Sequence, residues 1–312
     1  MNTKHNPREE YGKQLLSMCH QNKSIVVLDA DLCKSTMTCK VEDELPAQYF
    51  EMGIGEQNMM SVAAGLSLTG KIPFVNSFAI FLTSRAFDQV RQAICNAALN
   101  VKIIGSSAGL SDFGDGSSHQ TVEDMAIMRA LPNMTVIAPC DGIETRKATH
   151  AIADYKGPVY MRTSRNDMPD LTTEDSSFEI GEVYPLKKGT DITVFACGIM
   201  VKMAMDASEK LAEEGISVAV VNVPTIKPLK RDKIIALSRE TNAVVTAEEH
   251  NIFGGLGSAI AEALREEKIP IGFVGINDTF GVSCNEAEPL LVYYGLTVDA
   301  VISKIRTVLK LK

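Results

Sequence analysis

The sequence predicts an α/β fold built as two doubly wound domains. Three observations point there. Short apolar, β-branched runs alternate with longer segments of helical periodicity along the chain. This alternation runs its course twice. Between the two series lies Asp167 to Ser177, a polar stretch with proline and several Ser and Thr residues, which reads as a linker. Repeated strand–helix units form parallel sheets covered by helices. The expected division is a first domain over 1–166, a linker over 167–185 and a second domain over 186–312.

The elements follow in order. Arg8 to Cys19 has the pattern of an amphipathic helix, and Ser24 to Asp29 that of a buried strand. Asp31 to Lys40 is a polar loop at a strand's carboxyl end, where open parallel sheets gather ligands; an ordinary surface loop is the alternative. A helix opens at Glu56, and a strand follows at Ile72 to Val75. Phe81 to Ala98 reads as one long helix, and Val101 to Gly105 as a strand. Ser106 to His119 is too rich in Gly, Ser and Asp for regular structure. Thr121 and Asp124 resemble a capping box opening the next helix. Met134 to Ala138 is a strand, Gly142 to Tyr155 a helix, and Val159 to Met161 the last strand of this half. The second series places strands at Ile192–Ala196, Ser217–Asn222, Ala243–Ala247 and Ile271–Gly275. Its helices are Val201–Glu214, Arg231–Glu240 and Leu256–Glu266.

Composition narrows the function. Of 312 residues, 45% are hydrophobic and 22% charged, the balance of a globular chain with real cores. A net charge of −8 argues against a nucleic-acid partner. A phosphorylated substrate would need a local basic pocket. The seven cysteines show neither a CxxC pair nor metal-finger spacing, which suggests a reducing, cytoplasmic setting. Met1 to Glu10 lacks an apolar signal core, and the apolar region from Met59 to Leu82 is broken by Gly70-Lys71 and Pro73, so no membrane span is expected.

Met52-Gly53-Ile54-Gly55-Glu56-Gln57-Asn58 leads into a helix that reads as apolar on nearly every side. A carboxylate there must find a partner or stay protonated. It either caps the helix or aims at a ligand nitrogen. Phe78 and Phe81 stand three apart at a strand end, as core packing or as an aromatic wall. His119 ends a Gly-rich loop, where a structural role competes with proton transfer.

The order and spacing of these motifs, with Gly157 to Arg165, Thr225-Ile226-Lys227-Pro228, Glu248-Glu249-His250 and Gly254-Gly255-Leu256-Gly257, resemble the transketolase family over nearly the whole chain. The resemblance implies a pyrimidine-binding domain followed by a transketolase C-terminal domain. It implies thiamine diphosphate as cofactor, Glu56 as the activating carboxyl group, and Phe78 and Phe81 as the aminopyrimidine pocket. Asp31 and Leu32 match residues that approach the cofactor. His119 and Asp115 match substrate contacts, while Arg165, Arg8 and Ser35 fall where the family holds a sugar phosphate. Relatives often carry a His where Ser107 stands, and Phe113-Gly114 departs from the commoner Gly-Glu; both affect the substrate pocket.

Gly114-Asp115-Gly116 looks like the start of the family's metal and diphosphate motif. The corresponding later stretch, Asp141-Gly142-Ile143-Glu144, has no asparagine pair, so no metal site is expected in this chain. Mg²⁺ or Ca²⁺ would be held by a separate diphosphate-binding subunit, in a heterotetramer with two copies of each chain. The expected activity is transfer of a two-carbon ketol unit between sugar phosphates. Two further readings are the β subunit of a 2-oxo acid dehydrogenase E1 component and a cofactor-free binding protein on the same fold.

Overall fold

The structure, a computed structural model, describes residues 3–312. The run Ile25–Asp29 is buried at every position, as a strand covered on both faces requires. It lies within a seven-stranded sheet ordered Thr225–Lys227, Thr135–Ile137, Val159–Arg162, Lys102–Ser106, Ile72–Phe78, Ile25–Asp29, Tyr49–Glu51. All neighbours are parallel except the first pair. The second sheet has five strands, ordered Ile271–Ile276, Val244–Asn251, Ile192–Ala196, Val218–Asn222, Tyr184–Lys187, with only the last antiparallel. The two halves share one core. Val26, Val75 and Val136 of the first pack in the same cluster as Phe195, Val221 and Leu256 of the second.

Several expectations need correction. The strand Thr225–Lys227 comes from the second half of the chain but completes the first sheet, antiparallel to Thr135–Ile137. The polar loop Asp31 to Lys40 contains helical turns at Cys33–Thr36 and from Cys39 to Glu44. They are organised by buried Asp29, whose Oδ2 accepts the hydroxyls of Thr36 at 2.6 Å and Thr38 at 2.8 Å. Burial pushes that carboxyl group up to about 6, with these hydrogen bonds opposing. The single helix expected over Phe81 to Ala98 is three short pieces, Phe81–Arg85, Phe87–Gln89 and Val90–Cys95, the outer two wound as π-helix. Such widened turns often occur at functional sites.

The capping box does not form. The helix Asp124–Ala130 has no side-chain cap, and the Thr121 hydroxyl is buried without a partner. Asp124 instead accepts the Tyr160 hydroxyl at 2.6 Å and lies 3.2 Å from the Arg162 Nε. The helix Glu56–Leu68 is not apolar all round. Gln57, Asn58, Ser61, Gly65 and Leu68 form an exposed face, and Ile54 just before it is 76% exposed.

The linker is fastened at its start. Met168–Pro169 pairs with Lys4–His5, and the Leu171 and Thr172 amides donate to buried Asp141 Oδ2 at 2.8 and 2.6 Å. Two C-terminal helices, Ala287–Tyr293 and Val298–Leu309, complete the second half. All seven cysteines are unpaired. Among the described residues no helix is long and apolar enough to cross a membrane, and no group of three or more potential ligands could hold a metal ion.

Candidate active site

The chain leaves the strand Ile25–Asp29 toward Tyr49–Glu51 on one side, and leaves Ile72–Phe78 toward Lys102–Ser106 on the other. The loops beyond these two adjacent strands therefore diverge, opening a crevice at their carboxyl ends. That is where open α/β sheets bind ligands.

Glu51 shapes one wall. Its Oε1 accepts the Asp31 amide at 2.9 Å and the Gly53 amide at 2.7 Å. Asp31 takes a left-handed φ of 60° and Gly53 one of 62°, so the chain turns tightly before the helix begins at Glu56. Asp31 is exposed; Leu32, partly exposed, donates its amide to Asp29 Oδ1 at 2.7 Å. Glu56 is 1% exposed. It accepts Arg85 Nη1 at 3.1 and 3.0 Å, one distance to each carboxylate oxygen. The Arg85 guanidinium also lies over the Phe81 ring, 4.6 Å from its centroid.

Phe78 and Phe81 lie 6.0 Å apart with their planes 17° from parallel. The His119 ring stands edge-on to both, at 6.0 and 5.4 Å. Its Nδ1 is 2.9 Å from the Ser118 hydroxyl. The structure thus brings Glu56, Phe78, Phe81 and His119 into one continuous patch. Sequence reasoning gave Arg85 no role as the link: it comes four residues after Phe81 and 29 after Glu56. Arg85 gives buried Glu56 a cationic partner.

The floor carries unmet hydrogen-bonding capacity. The hydroxyls of Ser77, Ser106 and Ser107 are buried without partners at the ends of neighbouring strands. Ser107 holds a φ of 54°. A near-parallel aromatic pair, a buried carboxyl group and unpartnered buried hydroxyls fit a flat, nitrogen-bearing heterocycle.

A second cluster lies at the same edge. Arg8 Nη1 donates to the Ser35 carbonyl at 2.8 Å, and its Nε is buried without a partner. Burial, then repulsion from Arg165, lowers the Arg8 pKa. Arg165 Nη1 donates to both oxygens of buried Asp112 at 2.9 Å. Asn6 ties the two together, accepting the Arg8 amide at 3.1 Å and donating to the Arg165 carbonyl at 3.0 Å. The two guanidiniums share this edge with the carboxylates of Asp112, Asp167 and Glu9, and both have the donor geometry to bind an anion. Asn6 and Asp112 had no signal in the sequence. Asp115 is exposed at the mouth, beside the turn Gly116–Ser118 that leads to His119. A separate groove of about 620 Å³, lined by Arg129, Lys227 and Arg265 among others, shares no residue with this site.

A two-domain α/β chain with this crevice belongs among proteins that bind the pyrimidine end of thiamine diphosphate. The transketolase pyrimidine-binding domain model matches residues 4–170, and the transketolase C-terminal domain model matches residues 181–301. The chain belongs to the transketolase family, which is thiamine diphosphate-dependent, and it corresponds to the C-terminal section of a split member. A putative transketolase C-terminal section from Methanocaldococcus jannaschii is 43% identical over 307 residues, covering 97% of this chain and 96% of that one. A 6-deoxy-6-sulfo-D-fructose transketolase subunit from a Clostridium species is 39% identical, covering 95% and 92%. A solved structure described as a split gene transketolase, inactive beta4 tetramer, is 46% identical, with a TM-score of 0.89 and 98% of each chain covered.

Proposed function

We propose that this chain supplies the pyrimidine half of a transketolase active site and works only with a separate diphosphate-binding subunit. The observation that carries this reading is buried Glu56 beside the near-parallel Phe78/Phe81 pair, with His119 edge-on to both rings. When bound, thiamine diphosphate supplies the nucleophilic carbon and the electron sink for ketol transfer. Glu56 would hold a nitrogen of the aminopyrimidine, Phe78 and Phe81 would hold that ring, and Asp31 and Leu32 would border it. Half-exposed Arg85 pairs with Glu56 in the chain by itself and yields this place to the cofactor.

His119 moves a proton at a hydroxyl or carbonyl of the sugar. Asp115 accepts from a substrate hydroxyl. Arg8 and Arg165 form the seat for the substrate's terminal anion, which we take to be a phosphate, with the Ser35 carbonyl orienting Arg8. The Clostridium relative is named for a sulfonated sugar, a different anion at a similar place. Ser107 offers this seat no ring nitrogen, so the two arginines carry most of the anion binding.

This half-site offers nothing for the diphosphate or its Mg²⁺ or Ca²⁺, which fall to the partner in an assembly with two copies of each chain. The exposed face of the helix Glu56–Leu68, with Ile54 and Leu68 at its ends, suits such a contact. The unpaired cysteines agree with a cytoplasmic setting. The test mixes the purified chain with the diphosphate-binding subunit, cofactor and Mg²⁺, and follows ketol transfer and mass. We expect no activity from the chain alone, as with the inactive tetramer of its structural relative, and full activity from the mixture. Full activity without the partner would overturn the reading.

A further inference from the structure

The loop that carries Asp115 and His119 is fastened largely by the other half of the chain. Glu249, at the end of the strand Val244–Asn251, accepts the Leu110 amide at 3.0 Å. Its carboxylate lies so close to Gly109 that a Cβ there would sit 2.5 Å from Cδ. Farther along, the Cys284 amide donates to the Phe113 carbonyl at 2.7 Å. The buried Gln120 amide bridges the two sides: its Nε2 donates to the Asp112 carbonyl and to the Val282 carbonyl, each at 3.1 Å.

The fit between these segments is close. A Cβ at Gly281 would fall 1.6 Å from Gln120 Oε1. A Cβ at Gly116, where φ is +74°, would fall 2.3 Å from the Ser283 hydroxyl and 2.9 Å from its backbone nitrogen. Gly281 and Gly116 thus mark points of close approach between loop and C-terminal segment, and at Gly116 the positive φ and the Ser283 backbone leave no space for a Cβ. The contact also leads to the site. The amides of His119 and Gln120 both donate to the Gly116 carbonyl at 2.9 Å, so the two residues close one turn. A shift of Gln120 must move His119, whose ring rests on Phe78 and Phe81.

We propose that Gln120 is a positioning residue for His119, locked by the segment Gly281–Ser283, and that the C-terminal domain in this way sets the geometry in which the sugar substrate is held. The proposal rests on the half-site reading above. Gly281→Ala displaces the Gln120 amide from the C-terminal side while leaving the sequence of the first domain unchanged, and Gln120→Leu removes both donor contacts. In the full chain, amide hydrogen exchange over residues 113–120 should become faster in each variant. In the assembly with the diphosphate-binding subunit, KM for the sugar substrate should rise about tenfold, the scale expected for a small misplacement of a substrate-contacting group. Cofactor affinity, read from fluorescence quenching, should stay within about twofold of wild type, since no cofactor contact is moved. Unchanged exchange would overturn the lock. Faster exchange with unchanged KM would overturn the positioning role, as would a parallel loss of cofactor affinity. A wild-type mixture that binds cofactor yet transfers no ketol unit would sink the half-site reading and the positioning role with it, while the exchange rates still judge the lock.

Discussion

The two sheets follow the same construction rule and use its product in opposite ways. In the first, the carboxyl ends of the strands open onto a crevice with Glu56, the paired phenylalanines and three unpartnered serine hydroxyls. In the second, the equivalent edge is filled by the first domain. Glu249 takes the Leu110 amide, the Asn251 amide donates to the Val122 carbonyl at 2.7 Å, and Asn222 Nδ2 donates to Glu144 at 2.8 Å. Arg162 reaches across to the Glu249 carbonyl at 3.1 Å. The edge that a doubly wound sheet offers to ligands is thus a site in one half and a docking surface in the other. Unpartnered serine hydroxyls accompany the first; hydrogen bonds across the boundary mark the second, although Arg162 Nη2 and Asn222 Oδ1 there keep no partner.

This contrast breaks if changes at the open edge unfold the chain, or if changes at the docked edge spare its stability. Glu56→Gln is the largest expected effect. It should slow proton exchange at the cofactor's reactive carbon by about 10²–10⁴-fold, the range for a positioned acid–base group, while thermal unfolding stays close to wild type. Exchange at the wild-type rate with cofactor bound would remove Glu56 from that role.

Arg162→Met should do the reverse. It leaves fully buried Asp124 without its cation, which costs roughly 3–5 kcal/mol in such settings. Denaturant unfolding would register the loss as a lower midpoint. A midpoint within error of wild type would mean that the docked edge contributes little.

Arg165→Ala sharpens the picture of the anion seat. A charge-assisted contact is worth about 1.5–3 kcal/mol. KM for a phosphorylated sugar should therefore rise roughly ten- to a hundredfold, against little change for a small unphosphorylated donor. Equal effects on both would move the seat elsewhere.

The smallest effect is on pH. Burial pushes Glu144 up to about 7 and Asp29 up to about 6. Each binds its proton more tightly folded than unfolded, so its stabilising contribution is full in acid and is lost as pH rises from the unfolded range near 4 through 6 to 7. The stability should fall over that window, with the hydrogen bonds of both groups already limiting the shifts. Glu144→Gln should flatten the slope; a curve rising through the window in the wild type would contradict the sign.

The strands were legible because burial on both faces demands a continuous apolar run, and Ile25–Asp29 and Ile192–Ala196 supply one. The partner of a strand is another matter. Nothing in Thr225-Ile226-Lys227 says that it pairs with Thr135–Ile137 rather than with its own domain. Local signals also lose to distant ones. Asp124 has the spacing of a cap, but Tyr160 and Arg162, more than thirty residues on, compete for its carboxylate and win. In the site, Glu56, Phe78, Phe81 and His119 were singled out by resemblance, and the fold gathers them into one patch. Arg85, Asn6 and Asp112 were given no role because their significance lies in what they touch, and those contacts join residues far apart in sequence.

The crossing of Thr225–Lys227 into the first sheet has a consequence for the birth of the molecule. The strand Thr135–Ile137 is synthesised 88 residues, counted from Ile137 to Thr225, before the segment that covers its outer side. At about 5–20 residues per second, that side waits roughly 4–18 s on the ribosome. During the wait the nascent sheet presents unpaired backbone amides and carbonyls, a template for any neighbouring extended chain. The first domain cannot finish until much of the second has been made, so the gene cannot be cut at the linker into two self-sufficient pieces. A version that ends before Thr225 inherits a bare edge and the risk of sticking to its siblings.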